Sequence, residues 1–137
     1  MSENYKSPPE GNNMSWVFWH FDPSFFSDPS KLEAILREGL KEDGLTPLEW
    51  HTHKFDCEGG GYTMLVPLSE SHLSIHTYKE YGSIAGGLYS CLGPESGMAT
   101  YRKMLAKVNP KRTVLVRHEM PVDIHYLNGL DIKVTKS

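Results

Sequence analysis

Ser69-Glu70-Ser71-His72-Leu73-Ser74-Ile75-His76-Thr77 occupies the middle of a 137-residue chain. Leu73 to Tyr78 and the run before it, Tyr62 to Leu68, read as two strands around a junction at Ser69-Glu70-Ser71. Hydroxyls, a carboxylate and two histidines crowd this window. By composition alone it is a polar edge strand whose Ser and Thr side chains bond their neighbours. Downstream, Ile84 to Cys91 is a small-residue strand. Gly93-Pro94-Glu95 opens a helix with Met98, Tyr101, Leu105 and Val108 on its inner face, and Asn109-Pro110 stops it. Thr113 to Val116 is a last strand. Upstream, Trp16 to Phe21 is a first strand. Asp28 or Ser30 caps a helix with Leu32, Ile35, Leu36 and Leu40 on one face, weakened by Gly39 and ended by Gly44. Leu45 to Phe55 is a further strand. This order predicts an α+β fold, a two-layer sandwich of a mainly antiparallel sheet with two helices on one face. Residues 1–13 read as a flexible arm and 14–137 as one domain.

Composition narrows the function. Fourteen basic against seventeen acidic side chains give a net charge of -3, which excludes a generally basic nucleic-acid binder. Residues 1–70 carry 5 basic and 12 acidic side chains, net -7, while 71–137 carry 9 and 5, net +4. The two halves attract. No apolar run approaches the ~20 residues of a membrane span, and the N-terminus lacks the apolar core of a signal peptide. Two cysteines, Cys57 and Cys91, make no disulfide framework. The expectation is a cytoplasmic protein with free thiols. His51 with His53, and His72 with His76, fall short of a zinc pattern, so no metal is expected. Gly59-Gly60-Gly61 lacks the lysine that follows a phosphate loop.

The string Glu70-Ser71-His72-Leu73-Ser74-Ile75-His76-Thr77 resembles the self-processing motif of prokaryotic S-adenosylmethionine decarboxylases, a pyruvoyl-dependent family. The order around it matches from about Trp16 to Val108. His53-Lys54-Phe55, a glycine loop and Thr63 lie upstream. Tyr78 and Glu80 follow, and Cys91 lies fifteen residues after His76.

The resemblance implies self-cleavage between Glu70 and Ser71 into a β chain, 1–70, and an α chain, 71–137. Ser71 would attack the Glu70 carbonyl and end as a pyruvoyl group, with His76 assisting as a proton shuttle. The pyruvoyl ketone would form a Schiff base with the substrate amine and accept electrons as carbon dioxide leaves. Cys91 resembles the acid that quenches the carbanion. Phe55 and Tyr78 resemble the aromatics that sandwich adenine, Glu80 the ribose-binding carboxylate, and Thr63 a hydroxyl lining the pyruvoyl site. Cleaved protomers would pair as a homodimer. The implied activity is S-adenosylmethionine decarboxylation for polyamine (spermidine) synthesis.

Departures from the family pattern bear on the substrate. Lys79 stands in place of proline, Gly86-Gly87 in place of Val-Asp, and Leu92 in place of glycine. The loop after Phe55 is about two residues longer than usual. Two other readings compete: a pyruvoyl-dependent ornithine or arginine decarboxylase, and an uncleaved homologue acting as a binding partner.

Overall fold

A computed structural model describes residues 7–123 and 125. Six strands form one sheet in the order β2-β3-β4-β5-β1-β6, antiparallel throughout. They are β1 (Glu10–Trp19), β2 (His51–Lys54), β3 (Tyr62–Leu68), β4 (Ser71–Tyr78), β5 (Ser83–Ser90) and β6 (Arg112–Pro121). Helices α2 (Pro29–Glu42) and α3 (Met98–Val108), with a four-residue turn α1 (Ser24–Ser27), share the core with the sheet's inner side. The fold is the α+β two-layer sandwich that the element order implies.

Strand alternation creates the two layers. Met14, Trp16, Phe18, Met64, Val66, Leu73, Ile75, Ile84 and Leu88 are buried against the helices. Asp28 caps α2, its carboxylate accepting the Ser30 N–H at 3.1 Å, and Pro29 pre-sets the first turn. Leu32, Leu36 and Leu40 form the buried stripe of α2. In α3 the buried stripe is Met98, Tyr101, Met104 and Val108. Leu105, expected inside, is only partly buried, and Met104 takes the inner position.

Several boundaries differ from the sequence reading. Residues 10–13, assigned to the arm, are strand. They pair with β6, which runs well beyond Thr113–Val116, from Glu10↔Pro121 onward. Each long strand is the other's partner, and local composition does not report that. At the other end, β1 stops at Trp19, because His20 takes a left-handed backbone at φ 60°. Only His51–Lys54 of the Leu45–Phe55 stretch is strand; Pro47 makes one isolated bridge to Leu68 and interrupts the ladder. The remainder of the tail lies outside the described residues.

Candidate active site

Ser69 and Glu70 form a two-residue turn, because Leu68 and Ser71 face each other as the last pair of the β3–β4 ladder. The turn is anchored from outside. Ser69 N–H donates to the Thr46 carbonyl at 3.0 Å. The Glu70 carboxylate accepts the Thr46 N–H at 3.2 Å. Ser71 also pairs with Ser90 at the end of β5, which brings the next residue, Cys91, alongside. The Cys91 N–H donates to Ser71 Oγ at 3.2 Å. Glu70, Ser71 and Cys91 therefore meet at one corner of the sheet.

Thr63 and His76 meet elsewhere. They are register partners on β3 and β4, with Thr63 Oγ1 3.4 Å from His76 Nδ1. His76 lies five positions after Ser71 on β4, about 16 Å along the strand, and that odd spacing puts the two side chains on opposite sides of the sheet. His76 lies on the side away from the helices. There it edges a cleft of about 310 Å³ with Ser15, Ser74, Gly87, Val114 and Val116.

The far end of β4 carries a third group. Phe55, Thr77, Lys79 and Glu80 line a cleft of about 300 Å³ with the loop residues Cys57, Glu58, Gly60 and Gly61. Phe55 and Glu80 are thus brought together. Tyr78 does not line this cleft; alternation turns it to the His76 side. Lys79 Nζ donates to the Glu58 carbonyl, so the cation ties the lengthened loop to the turn that holds Glu80.

Other departures have local causes. A Cβ on Gly86 would lie 2.2 Å from the Trp16 indole, so the ring itself requires glycine there. Leu92 packs partly against the core. His51 and His53 sit on the edge strand β2, and among the described residues no group of three His, Cys, Asp or Glu converges as a metal site. Among the described residues no helix is long and apolar enough to cross a membrane.

The sequence profile of S-adenosylmethionine decarboxylase matches residues 14–119. The chain belongs to the S-adenosylmethionine decarboxylase family. A decarboxylase proenzyme of Sulfurihydrogenibium sp. (strain YO3AOP1) is 35% identical over 81 residues, covering 59% of either chain. The Pyrobaculum islandicum proenzyme is 31% identical over 91 residues, 66% of this chain and 72% of its own. The match thus spans about three-fifths of the first relative's length. The adenosylmethionine decarboxylase of Aquifex aeolicus VF5 superposes with a TM-score of 0.73 over 96% of this chain and 100% of that one. At 22% identity that likeness speaks for the fold.

Some residues around the Ser71 corner were invisible in the sequence. Thr46, which holds the Glu70 carboxylate, is distant in sequence and unremarkable in type. Ser90, Ser96 and Asn12 also surround the Ser71 corner; only the position of Ser90, next to Cys91, could have pointed to it.

Proposed function

We propose that this protein is a self-cleaving, pyruvoyl-dependent S-adenosylmethionine decarboxylase, a carboxy-lyase whose product serves polyamine synthesis. One observation carries the reading. In a chain of this family, the Glu70–Ser71 bond lies at a strand turn, with Ser71 Oγ held 3.2 Å from the Cys91 N–H. A scissile bond there can break without removing one ladder pair, because Leu68 and Ser71 are already the last partners. The anchored turn keeps the carbonyl and the hydroxyl in place while the bond exchanges, which is catalysis by orientation.

Ser71 is the nucleophile. Its Oγ bonds to the Glu70 carbonyl carbon, the C–N bond breaks, and the proton passes to the released Ser71 nitrogen. Elimination across Ser71 Cα–Cβ then frees the Glu70 carboxylate, and water replaces the nitrogen as ammonia. The pyruvoyl group so formed supplies the electron sink for decarboxylation. Cys91, next to it, holds the proton that the substrate carbon receives. Phe55 offers an apolar face to adenine, and Glu80, in the same cleft, accepts from ribose hydroxyls. An aromatic and a carboxylate in one cleft favour a nucleoside substrate over ornithine or arginine, which have neither base nor ribose.

Thr63, His76 and Tyr78 share the side of the sheet away from the helices, and a second copy is the natural way to use them. That side exposes Leu65 (51%), Val114 (50%) and Val116 (44%). Two copies related by a two-fold axis present the same patch to each other, so one contact serves both sites. His76 and Thr63 then lie at the contact between the two copies. The functional unit is a homodimer of cleaved protomers.

Intact mass under denaturing conditions tests the reading. Two chains of 70 and 67 residues, the second gaining mass on borohydride reduction, are expected. Ser71→Ala gives one 137-residue species and no activity. Cys91→Ala still cleaves, at least in part, but loses much of its decarboxylation. A single uncleaved species from the unaltered chain would overturn the proposal in favour of a non-catalytic partner.

A further inference from the structure

The strand row that starts at Ser71 continues across the sheet. Ser71 pairs with Ser90, and Ser90 with Asn12. Ser90 and Asn12 are 0% and 1% exposed, so a polar row crosses three strands at one end of the helix-facing layer. The next row inward is apolar: Leu73, Leu88 and Met14. Buried hydroxyl and amide groups favour partners; Asn12 Oδ1 has none among the described residues, but Ser90 Oγ and Asn12 Nδ2 are bonded, and their partners show what the row holds.

The partners all belong to one loop, which joins β5 to α3. Ser90 Oγ accepts the Leu92 N–H at 3.2 Å and lies 2.5 Å from Ser96 Oγ. Asn12 Nδ2 donates to the Ser96 carbonyl at 2.7 Å. Both ends of the loop are therefore clamped to the sheet, one at Leu92 and one at Ser96. Cys91 sits inside the first clamp. Its two flanking peptides are fixed, one by the Ser90 pairing in the ladder and one by the bond from Leu92 to Ser90 Oγ. What this orients is the Cys91 N–H, which bonds Ser71 Oγ.

We propose that Ser90 and Ser96, braced by Asn12, are positioning residues for self-cleavage, holding the Cys91 peptide so that its N–H sets the direction of the Ser71 hydroxyl. The inference rests on the reading of Glu70–Ser71 as the self-cleaved bond. These residues touch neither the breaking bond nor the substrate; they act through Cys91. Loss of the Ser90 hydroxyl frees the Leu92 N–H and the Ser96 hydroxyl together. Loss of the Ser96 hydroxyl leaves the Asn12 bond intact, because that bond goes to the Ser96 backbone.

The test follows cleavage of the full chain made by cell-free translation, as the fraction of the 137-residue species against time by intact mass. Ser90→Ala slows cleavage roughly tenfold or more and Ser96→Ala a few-fold, because a rotamer preference, not the nucleophile, is lost. Ser96→Thr keeps a hydroxyl and restores the rate. Ser90→Ala with Ser96→Ala is no slower than Ser90→Ala alone, since both break one chain of bonds. Melting temperatures are read in a Ser71→Ala background, where cleavage does not interfere. Asp43→Ala is the control: it removes a carboxylate bonded to Ala99 and Thr100 and to none of Ser90, Ser96 or Asn12, and lowers the melting temperature without slowing cleavage. Wild-type rates for both serine variants, or slowing matched by Asp43→Ala, would overturn the positioning role. An unaltered chain that never cleaves would overturn the self-cleavage reading itself, a result distinct from either.

Discussion

The Tyr62 hydroxyl donates to the Phe25 carbonyl oxygen at 2.5 Å, in the core beneath the start of β3. The same residue's backbone is gripped by Thr77 Oγ1, which accepts the Tyr62 N–H at 2.9 Å and donates to its carbonyl at 3.1 Å. The next residue, Thr63, is thereby turned toward His76. Burial holds the Tyr62 phenol well above its ordinary pKa, and the nearby Asp28 charge pushes it the same way. Below about pH 10 both folded and unfolded chains keep this proton, so the contribution of the buried hydroxyl is intact. Above that pH the unfolded chain ionises and the folded chain does not, so stability falls as pH rises. Tyr62→Phe should lose about 1 kcal/mol at neutral pH, because the Phe25 carbonyl is left unpaired. Its stability should then decline less steeply than wild type from about pH 10 upward. Urea midpoints measured across that range decide it; parallel curves would mean that burial of this phenol does not govern the alkaline limb.

Helices α2 and α3 cross where Gly39 meets Thr100. A Cβ on Gly39 would lie 2.6 Å from the Thr100 Cα, a backbone atom that cannot step aside. Read from the sequence, Gly39 is a weak point in a helix, and alanine would improve it by up to about 1 kcal/mol. The packing reverses the sign. Gly39→Ala should destabilise by about 1–3 kcal/mol, as overpacking does, and lower the urea midpoint with an unchanged slope. A raised midpoint would mean the helices part freely. The same crossing explains Asp43. Gly97 precedes α3 without a side-chain cap, and the Asp43 carboxylate accepts from Thr100 N at 2.7 Å and Thr100 Oγ1 at 2.6 Å instead. Such services between elements are where sequence reading stops. The spans of β3 and β4 and the face of α2 follow local period and caps, and they were legible. The use of Gly39, the strand nature of residues 10–13 and the length of β6 depend on partners far along the chain. At the candidate site, the unusual Glu70–Thr77 string singled out Ser71 and His76, but not that strand alternation sets them on opposite sides of the sheet.

Across the whole molecule, the sheet order interleaves the two chains that cleavage at 70/71 would leave. β2 and β3 belong to residues 1–70, β4 and β5 to 71–137, β1 to 1–70 again and β6 to 71–137. Three ladders then join the chains: β3–β4, β5–β1 and β1–β6. The charge imbalance of -7 against +4 pulls the same way, but it is a weaker tie. Among the described residues one side-chain ion pair spans the halves, Lys103 with Glu42 at 2.6 Å, and Glu42 is half-exposed there. Salt separates the two contributions. In 1 M sodium chloride the screening length falls to about 3 Å, which removes long-range attraction and leaves ladders and core intact. Sedimentation of the cleaved protein should therefore give one species containing both chains, at low and high salt alike. Its mass should equal two copies of each chain, the outcome that the proposed pairing through the exposed side bearing Val114 and Val116 requires. One copy of each would remove the pairing of protomers and leave the interlock standing. Free 70- and 67-residue chains in salt, without denaturant, would show that charge holds the halves and that the interleaved sheet does not.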